Sequence, residues 1–207
     1  MKKLKVLVAC EYSGRVRDAF IALGHDAISC DLLSSDSPGP HHKGDVIDIL
    51  DYGFDLMIAH PPCTYLSVSG MHWTARGLRD PKLTEEALDF VRLLMEADIP
   101  RIAIENPVSV ISSRIRKPDQ TINPWQFGED ASKKTCLWLK GLPQLAPTEI
   151  IEPRIIFNGS KIPLKRWGNQ TDSGQNKLPP SKDRWKIRST TYLGIAKAMA
   201  HQWGGKV

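Results

Sequence analysis

Short apolar runs closed by turn residues, alternating with stretches of helical periodicity, set the rhythm of this chain. Lys5 to Ala9, Ala27 to Cys30, Leu56 to Ala59 and Arg101 to Ile104 are runs of mostly aliphatic side chains. Such runs belong to strands buried on both faces of a parallel sheet. Between the first two, Glu11-Tyr12-Ser13-Gly14 reads as a tight turn into a helix from Arg15 to Leu23, which Gly24 stops. Asp80-Pro81 opens a second helix, with Ala87, Leu88, Val91, Leu94 and Met95 at helical spacing as far as Glu96. Gln120 to Phe127 and Thr135 to Leu139 can pair as an antiparallel hairpin. A last helix, Leu193 to Trp203, puts Ile195, Ala196, Met199 and Ala200 on one face. The pattern predicts an α/β fold of Rossmann-like type, a mostly parallel sheet with a C-terminal antiparallel hairpin.

Other segments lack periodicity. Ser34 to Lys43, with Pro38, Gly39, Pro40, His41 and His42, reads as a loop, as does the small-polar stretch Thr64 to Gly70. Met71 to Asp80 adds Trp73, Arg76 and Arg79 and reads as a basic loop able to close over a substrate. Pro143 to Ser181, rich in Pro, Gly, Asn, Gln and Lys, is a long loop or minimal subdomain.

At 207 residues the chain is long enough for one domain with a sizeable core. Its four cysteines show no C-x-x-C spacing, which argues against a zinc site and a disulfide framework, and adjacent loop histidines without further ligands make no metal site. No metal and no membrane are expected. The basic Met1-Lys2-Lys3-Leu4-Lys5 is followed only by Val6 to Ala9, too short for a signal peptide or a membrane span, so the expected location is cytoplasmic, in a bacterial or phage-infected host cytosol. Net charge is +5, unevenly placed. Residues 1–110 carry 11 Lys and Arg against 16 Asp and Glu, whereas residues 111–207 carry 17 against 7. The second half is therefore the candidate polyanion face, and Trp167 and Trp185 among Lys165, Arg166, Arg184, Lys186 and Arg188 suit base stacking and phosphate neutralisation as well as a small packed core.

Chemistry-bearing residues gather at the predicted strand ends. Gly14 lies in the first turn and Asp31 ends the second strand 17 residues later, the plan by which nucleoside-like ligands are held, though a βαβ unit without a ligand looks much the same. Gly44-Asp45-Val46 approaches the same crevice, and Asp45 could accept from a purine amine. Pro61-Pro62 stiffens the chain ahead of Cys63, and the next strand ends on Glu105-Asn106-Pro107. A lone cysteine here could equally pack as a small hydrophobe.

With these residues in view, the chain resembles the DNA (cytosine-5) methyltransferases, in a small form with a minimal target-recognition region. Pro61-Pro62-Cys63 is similar to their Pro-Pro-Cys loop, Glu105-Asn106-Pro107 to their Glu-Asn-Val, Gly44-Asp45-Val46 to their Gly-Asp-Ile, and Asp31 to their ribose-binding acid. More loosely, Glu11 to Gly14 resembles their glycine turn and Gly194-Ile195-Ala196 the helix that completes the methyl-donor pocket. The resemblance covers residues 5–140 and 187–203. It implies an S-adenosylmethionine-dependent methyltransferase domain over 1–140 and 183–207 with a recognition insert over 141–182. It also implies transfer of a methyl group to C5 of cytosine in DNA through a covalent bond from Cys63 to C6, the base being flipped out of the duplex. Cys63 is then the nucleophile, a role that calls for a lowered thiol pKa, and Glu105, protonated or sharing a proton, steadies N3. Glu11, Tyr12, Ser13, Gly14, Asp31, Asp45 and Pro61 would hold the donor and its product S-adenosylhomocysteine. Pro62, Asn106, Arg76, Arg79, Lys133, Lys134, Arg166 and Trp167 would hold the substrate.

The sequence departs from the family in places. Arg15 stands where the family has glycine, Lys133 and Thr135 stand where it has the arginines of Gln-x-Arg-x-Arg, and the recognition insert is short. Two other readings follow: C5 methylation of a free deoxycytidine nucleotide, or a non-catalytic relic that binds nucleic acid. An amino-methyltransferase would want Asp, Asn or Ser before Pro-Pro and an aromatic after it, unlike His60-Pro61-Pro62-Cys63.

Overall fold

The computed structural model describes residues 2–157 and 162–205. Seven strands, β1 (Lys5–Ala9), β2 (Asp26–Asp31), β3 (His41–Lys43), β4 (Leu56–Ala59), β5 (Ile102–Pro107), β6 (Gln120–Ile122) and β7 (Thr135–Lys140), form one sheet in the order β3-β2-β1-β4-β5-β7-β6. The first five are mutually parallel, and β7 runs antiparallel to both β5 and β6. This is the Rossmann-like α/β sheet that the apolar runs predict, with its antiparallel hairpin.

Alternation of side chains gives the sheet two buried faces. Val6, Val8, Leu56, Ile58, Ala103 and Leu137 form one face, packed with Val16 and Phe20 of α1 (Arg15–Ala22). Ile195, Ala196, Ala198 and Met199 of α6 (Leu193–Met199), with Trp203 beyond it, complete that side. On the other face Leu7, Ala9, Met57, Ala59, Ile102, Ile104 and Trp138 meet Leu88, Val91 and Leu94 of α3 (Lys82–Glu96). Each such α3 side chain contributes roughly 1.5–3 kcal/mol by burial, enough to fix the helix on the sheet. Gly194 lets α6 approach: a Cβ there would lie 1.8 Å from the Phe127 carbonyl oxygen.

Two expectations about irregular segments need correction, and a third gains detail. The Ser34 to Lys43 stretch ends in β3, whose polar side chains suit a sheet edge; the His41 ring bonds Ser29 Oγ at 2.9 Å and the Leu33 carbonyl at 2.9 Å. The basic stretch after Cys63 is not a loop but holds α2 (Val68–Ala75), capped by Ser67 accepting from the Gly70 amide. No residue of α2 is buried, so it has no apolar stripe for periodicity to reveal. The 141–182 insert holds a two-stranded antiparallel sheet, β8 (Arg154–Ile156) with β9 (Leu164–Arg166). Two short helices complete the chain, α4 (Ile111–Arg114) and α5 (Arg184–Ser189).

Arg17 anchors the crossover after β2. It is fully buried, and its guanidinium donates to Asp18 Oδ1, to the hydroxyls of Ser29 and Ser35, and to the carbonyls of Ser37, Pro38 and Pro40. A planar five-donor fork is what such a set of acceptors requires.

Candidate active site at the carboxyl edge of the sheet

Chain order reverses between β1 and β4, and in open α/β sheets ligands bind outside the carboxyl ends of the strands at such a point. At the end of β1, Cys10 adopts φ 58°, a left-handed conformation that costs a non-glycine residue on the order of 1–3 kcal/mol. Its thiol is pushed up to about 12 by burial, then by the charges of Asp31, Cys30 and Asp45. Asp31 and Asp45, from two different crossovers, therefore converge on this crevice. Each uses one oxygen locally: Asp31 accepts from the Leu33 amide at 2.9 Å and Asp45 from the Ile47 amide at 3.0 Å.

Glu11 is buried and works inside the protein. Its Oε1 accepts from the Val16 amide at 2.8 Å and from Ser13 Oγ at 3.1 Å, and its Oε2 accepts from the Arg17 amide at 3.3 Å. These are the first-turn amides of α1, the site where a dinucleotide fold seats pyrophosphate. A carboxylate already there turns phosphate away. Gly14, at φ 73°, makes room for the Arg17 fork and Ser37: a Cβ would lie 2.5 Å from an Arg17 nitrogen. Asp31 and Asp45 thus leave carboxylate oxygens at this edge that can accept from hydroxyls or meet positive charge, while Glu11 disfavours a phosphate.

Tyr12 is also buried, and its hydroxyl donates to the Lys186 carbonyl at 2.6 Å and meets Ser189 Oγ at 2.9 Å, which fastens α5 over the start of the β1 turn. Lys186 in turn reaches Asp36 at 2.7 Å and lies over the Tyr12 ring, beside Trp185.

The second half of the edge comes from β4 and β5. Because Ala59 pairs with Ile104, the next residues, His60 and Glu105, stand side by side, and His60 Nδ1 lies 2.8 Å from Glu105 Oε2. Buried Asn106 donates from Nδ2 to the Pro61 carbonyl at 2.8 Å. Beyond it the Leu66 carbonyl accepts from Val110 and the Val108 carbonyl accepts from Val68, so the Cys63 segment is stitched to the exit of β5. Arg79 donates to the Thr64 carbonyl at 2.8 Å and lies over Tyr65, which clasps the same loop from α2's far end. Gly70 permits the tight return, since a Cβ would lie 2.3 Å from the Thr64 carbonyl oxygen.

Cys63 is exposed, unlike Cys30 and Cys136. Burial of the sulfur's surroundings and the charge of Glu105 push its thiol up, against the pull of Lys133 and Arg188. The expected lowering of the Cys63 pKa is thus corrected. A carboxylate beside the sulfur and partial desolvation both favour the neutral thiol. Burial pushes Glu105 up as well, but the hydrogen bond and charge of His60 together with Lys133 outweigh it, so Glu105 lies below the ordinary carboxylate range; the protonated Glu105 that the sequence suggested is corrected to a carboxylate hydrogen-bonded to His60. Of the cations that pull the Cys63 thiol down, Lys133 is tied to α5 by its bond to the Arg188 carbonyl at 2.8 Å.

The remaining expected residues are spread wider. Pro62, Lys134 and Arg76 are exposed near the edge, while Lys133 is committed to the Arg188 carbonyl at 2.8 Å. Arg166 bonds the Asp172 and Lys165 carbonyls. Trp167 stacks on Trp125 at 5.3 Å and donates to the Ile151 carbonyl, which ties the insert to the 124–132 loop. Sequence reasoning overlooked His60, whose position opposite Glu105 follows from pairing the two strands, and the left-handed Cys10. Among the described residues no group of three or more His, Cys, Asp or Glu could hold a metal ion, and no helix is long and apolar enough to cross a membrane.

No protein-family model matches the chain, and no curated protein matches it. Among solved structures, it is similar to an Escherichia coli prophage-encoded protein described as a DNA modification methyltransferase, at 16% identity and a TM-score of 0.49, over 72% of this chain and 52% of that one. It is also similar to the Entamoeba histolytica methyltransferase EhMeth, at 16% identity and a TM-score of 0.47, over 73% of this chain and 59% of that one. The chain thus spans a little over half the length of these structures.

Proposed function

We propose that this protein transfers a methyl group from S-adenosylmethionine to C5 of cytosine in DNA, with Cys63 as nucleophile and Glu105 at the pyrimidine N3. The observation that carries the reading is the stitching of the Pro61-Pro62-Cys63 loop to the Glu105-Asn106 strand end, with Asn106 bonded to the Pro61 carbonyl and His60, just ahead of the loop, bonded to Glu105. A structural cysteine needs no neighbouring carboxylate, and a nucleic-acid-binding relic needs neither.

C5 of cytosine is a weak nucleophile until sulfur adds at C6. In that step the Cys63 sulfur forms the C6–S bond and loses its proton, and the displaced electron pair runs through the ring to N3, which takes up a proton from the Glu105 side. Low-dielectric surroundings strengthen this stabilisation. When bound, S-adenosylmethionine supplies an electrophilic methyl group to the activated C5. Asp31 and Asp45 are assigned to its hydroxyls and purine, Glu11 to holding the β1 turn with Ser13 and Gly14, and Pro61 to the pocket wall. The acidic edge complements a sulfonium cation, and Glu11's occupation of the α1 amides favours a nucleoside without phosphate. Loss of the C5 proton to water, return of the C6–S electrons to sulfur and return of the N3 proton to that sulfur release the base.

DNA is the favoured substrate because the excess of cations in residues 111–207 suits a polyanion. Residues 141–182, with Arg166 and Trp167, form the proposed recognition insert, and Pro62, Asn106, Arg76, Arg79, Lys133 and Lys134 the proposed grip around the flipped base. The test incubates the protein with radiolabelled S-adenosylmethionine and either duplex DNA or deoxycytidine monophosphate, followed by nucleoside mass spectrometry. The expected product is 5-methyldeoxycytidine from DNA. Label in the free nucleotide alone would replace the polymer substrate, and label on adenine N6 or cytosine N4 would overturn the C5 assignment.

A further inference from the structure

The tetrapeptide His60-Pro61-Pro62-Cys63 begins with a residue that the proposed chemistry has not used. His60 follows β4 directly, donating its own amide to the Ala9 carbonyl at 2.9 Å, and its ring lies beside Glu105 because of the parallel register. The His60 and Glu105 side chains are 9% and 12% exposed, and Nδ1 lies 2.8 Å from Oε2. Among the described residues, that ring is the hydrogen-bond partner of the Glu105 carboxyl. His60 Nε2 is buried and has no hydrogen-bond partner among the described residues.

A purely structural partner for Glu105 would not need these features. A serine or asparagine could satisfy one carboxylate oxygen, whereas an imidazole brings a second ring nitrogen that can accept or donate a proton. Leaving the second ring nitrogen buried without a partner is a cost that native interiors avoid, and it leaves that nitrogen available to a ligand or a water. Proton bookkeeping supplies the missing use. Sulfur addition releases a proton from Cys63 and consumes one at N3, so the site needs a place where that proton can reside in between.

We propose that His60 is a positioning residue for Glu105, and that the His60–Glu105 pair holds the proton exchanged between the Cys63 thiol and the pyrimidine N3. The inference rests on the C5 reading above. The His60 bond keeps Oε2 fixed and turns the other carboxyl oxygen toward the ring. The Cys63 proton moves to the pair as the C6–S bond forms, and the pair protonates N3. In the reverse direction N3 returns it and sulfur takes it back. The charged and titratable groups acting on this pair are Cys63 from the loop after β4, Lys133 ahead of β7 and Cys136 of β7, with Arg188 of α5 acting on Cys63.

Reversible addition can be followed without a methyl donor, by release of tritium from C5 of labelled cytosine in duplex DNA. His60→Asn can keep a donor near Glu105 Oε2 yet cannot exchange a proton, and it guards against misfolding of His60→Ala. The expected result is normal thermal unfolding for His60→Asn, exchange slowed roughly 100-fold at neutral pH, the scale of general acid–base catalysis, and loss of one limb of the wild-type pH profile. Wild-type exchange with a wild-type pH profile in His60→Asn would overturn the inference alone. Failure of the wild-type protein to exchange tritium would overturn the C5 reading, and this inference with it.

Discussion

Arg17 offers a test of how the sheet edge is held, independent of catalysis. Replacing it with Met keeps most of the aliphatic volume and removes every guanidinium donor. The carbonyls of Ser37, Pro38 and Pro40 and the hydroxyls of Ser29 and Ser35 then lose a partner, and Asp18 loses its 2.8 Å ion pair. An acceptor orphaned in the interior costs about 1–3 kcal/mol, and one that water can reach costs far less. Pro38 and Pro40 lie in an exposed stretch, and Ser29 can turn to His41 Nδ1, already 2.9 Å away. Relief of a desolvated charge returns part of the loss. The net expectation is a destabilisation of about 2–4 kcal/mol. With a urea slope near 2 kcal/mol/M, the unfolding midpoint falls by roughly 1–2 M at unchanged slope. Arg17→Lys should fall in between, because an ammonium reaches only part of the acceptor set. A midpoint for Arg17→Met within about 0.2 M of wild type would refute the anchoring role.

Other expectations follow from single atoms. Gly70→Ala drives a Cβ toward the Thr64 carbonyl and displaces the Cys63 loop, so methyl transfer should fall at least about tenfold while the thermal midpoint moves little, since no residue of α2 is fully buried. Gly194→Ala instead pushes α6 off Phe127 and should lower stability by about 2–4 kcal/mol in the same urea assay. Asp55, Asp119 and Glu105 all lie below the usual carboxylate range, so they bind fewer protons folded than unfolded. Stability should therefore fall with pH below about 4, as read by unfolding at graded acid pH. Cys10 and Cys30, pushed up to about 12 from 9.0, stay protonated in the fold while the unfolded chain ionises, so stability should also decline as pH rises from 9 toward 12.

Burial governed how much of this was legible in the residues. Strands β1, β2, β4 and β5 announce themselves because both sheet faces are covered, and helices α1, α3 and α6 because each buries one stripe. β3 and α2 carry no such pattern: one is a polar edge strand and the other an exposed helix fixed by Ser67 and Arg79. Cys63, Glu105 and Asp31 could be named because each ends an apolar run or follows one closely, and Asp45 because it stands in Gly44-Asp45-Val46. The insides of those positions could not. Glu11 looks like a ligand residue until its bonds to the Val16 and Arg17 amides are seen, and Arg17 looks like a surface cation on an amphipathic helix. The direction of the Cys63 shift was equally hidden, because it depends on Glu105 arriving from a strand more than forty positions later.

The account stands on a sulfur and a carboxyl meeting one pyrimidine. Its most direct test incubates the protein with S-adenosylmethionine and duplex DNA carrying 5-fluorodeoxycytidine, whose C5 fluorine blocks the final elimination. The account predicts a denaturation-resistant protein–DNA adduct that maps to Cys63 by peptide mass spectrometry and vanishes in Cys63→Ala. An adduct that persists in Cys63→Ala, or DNA methylation with no adduct at all, would contradict it.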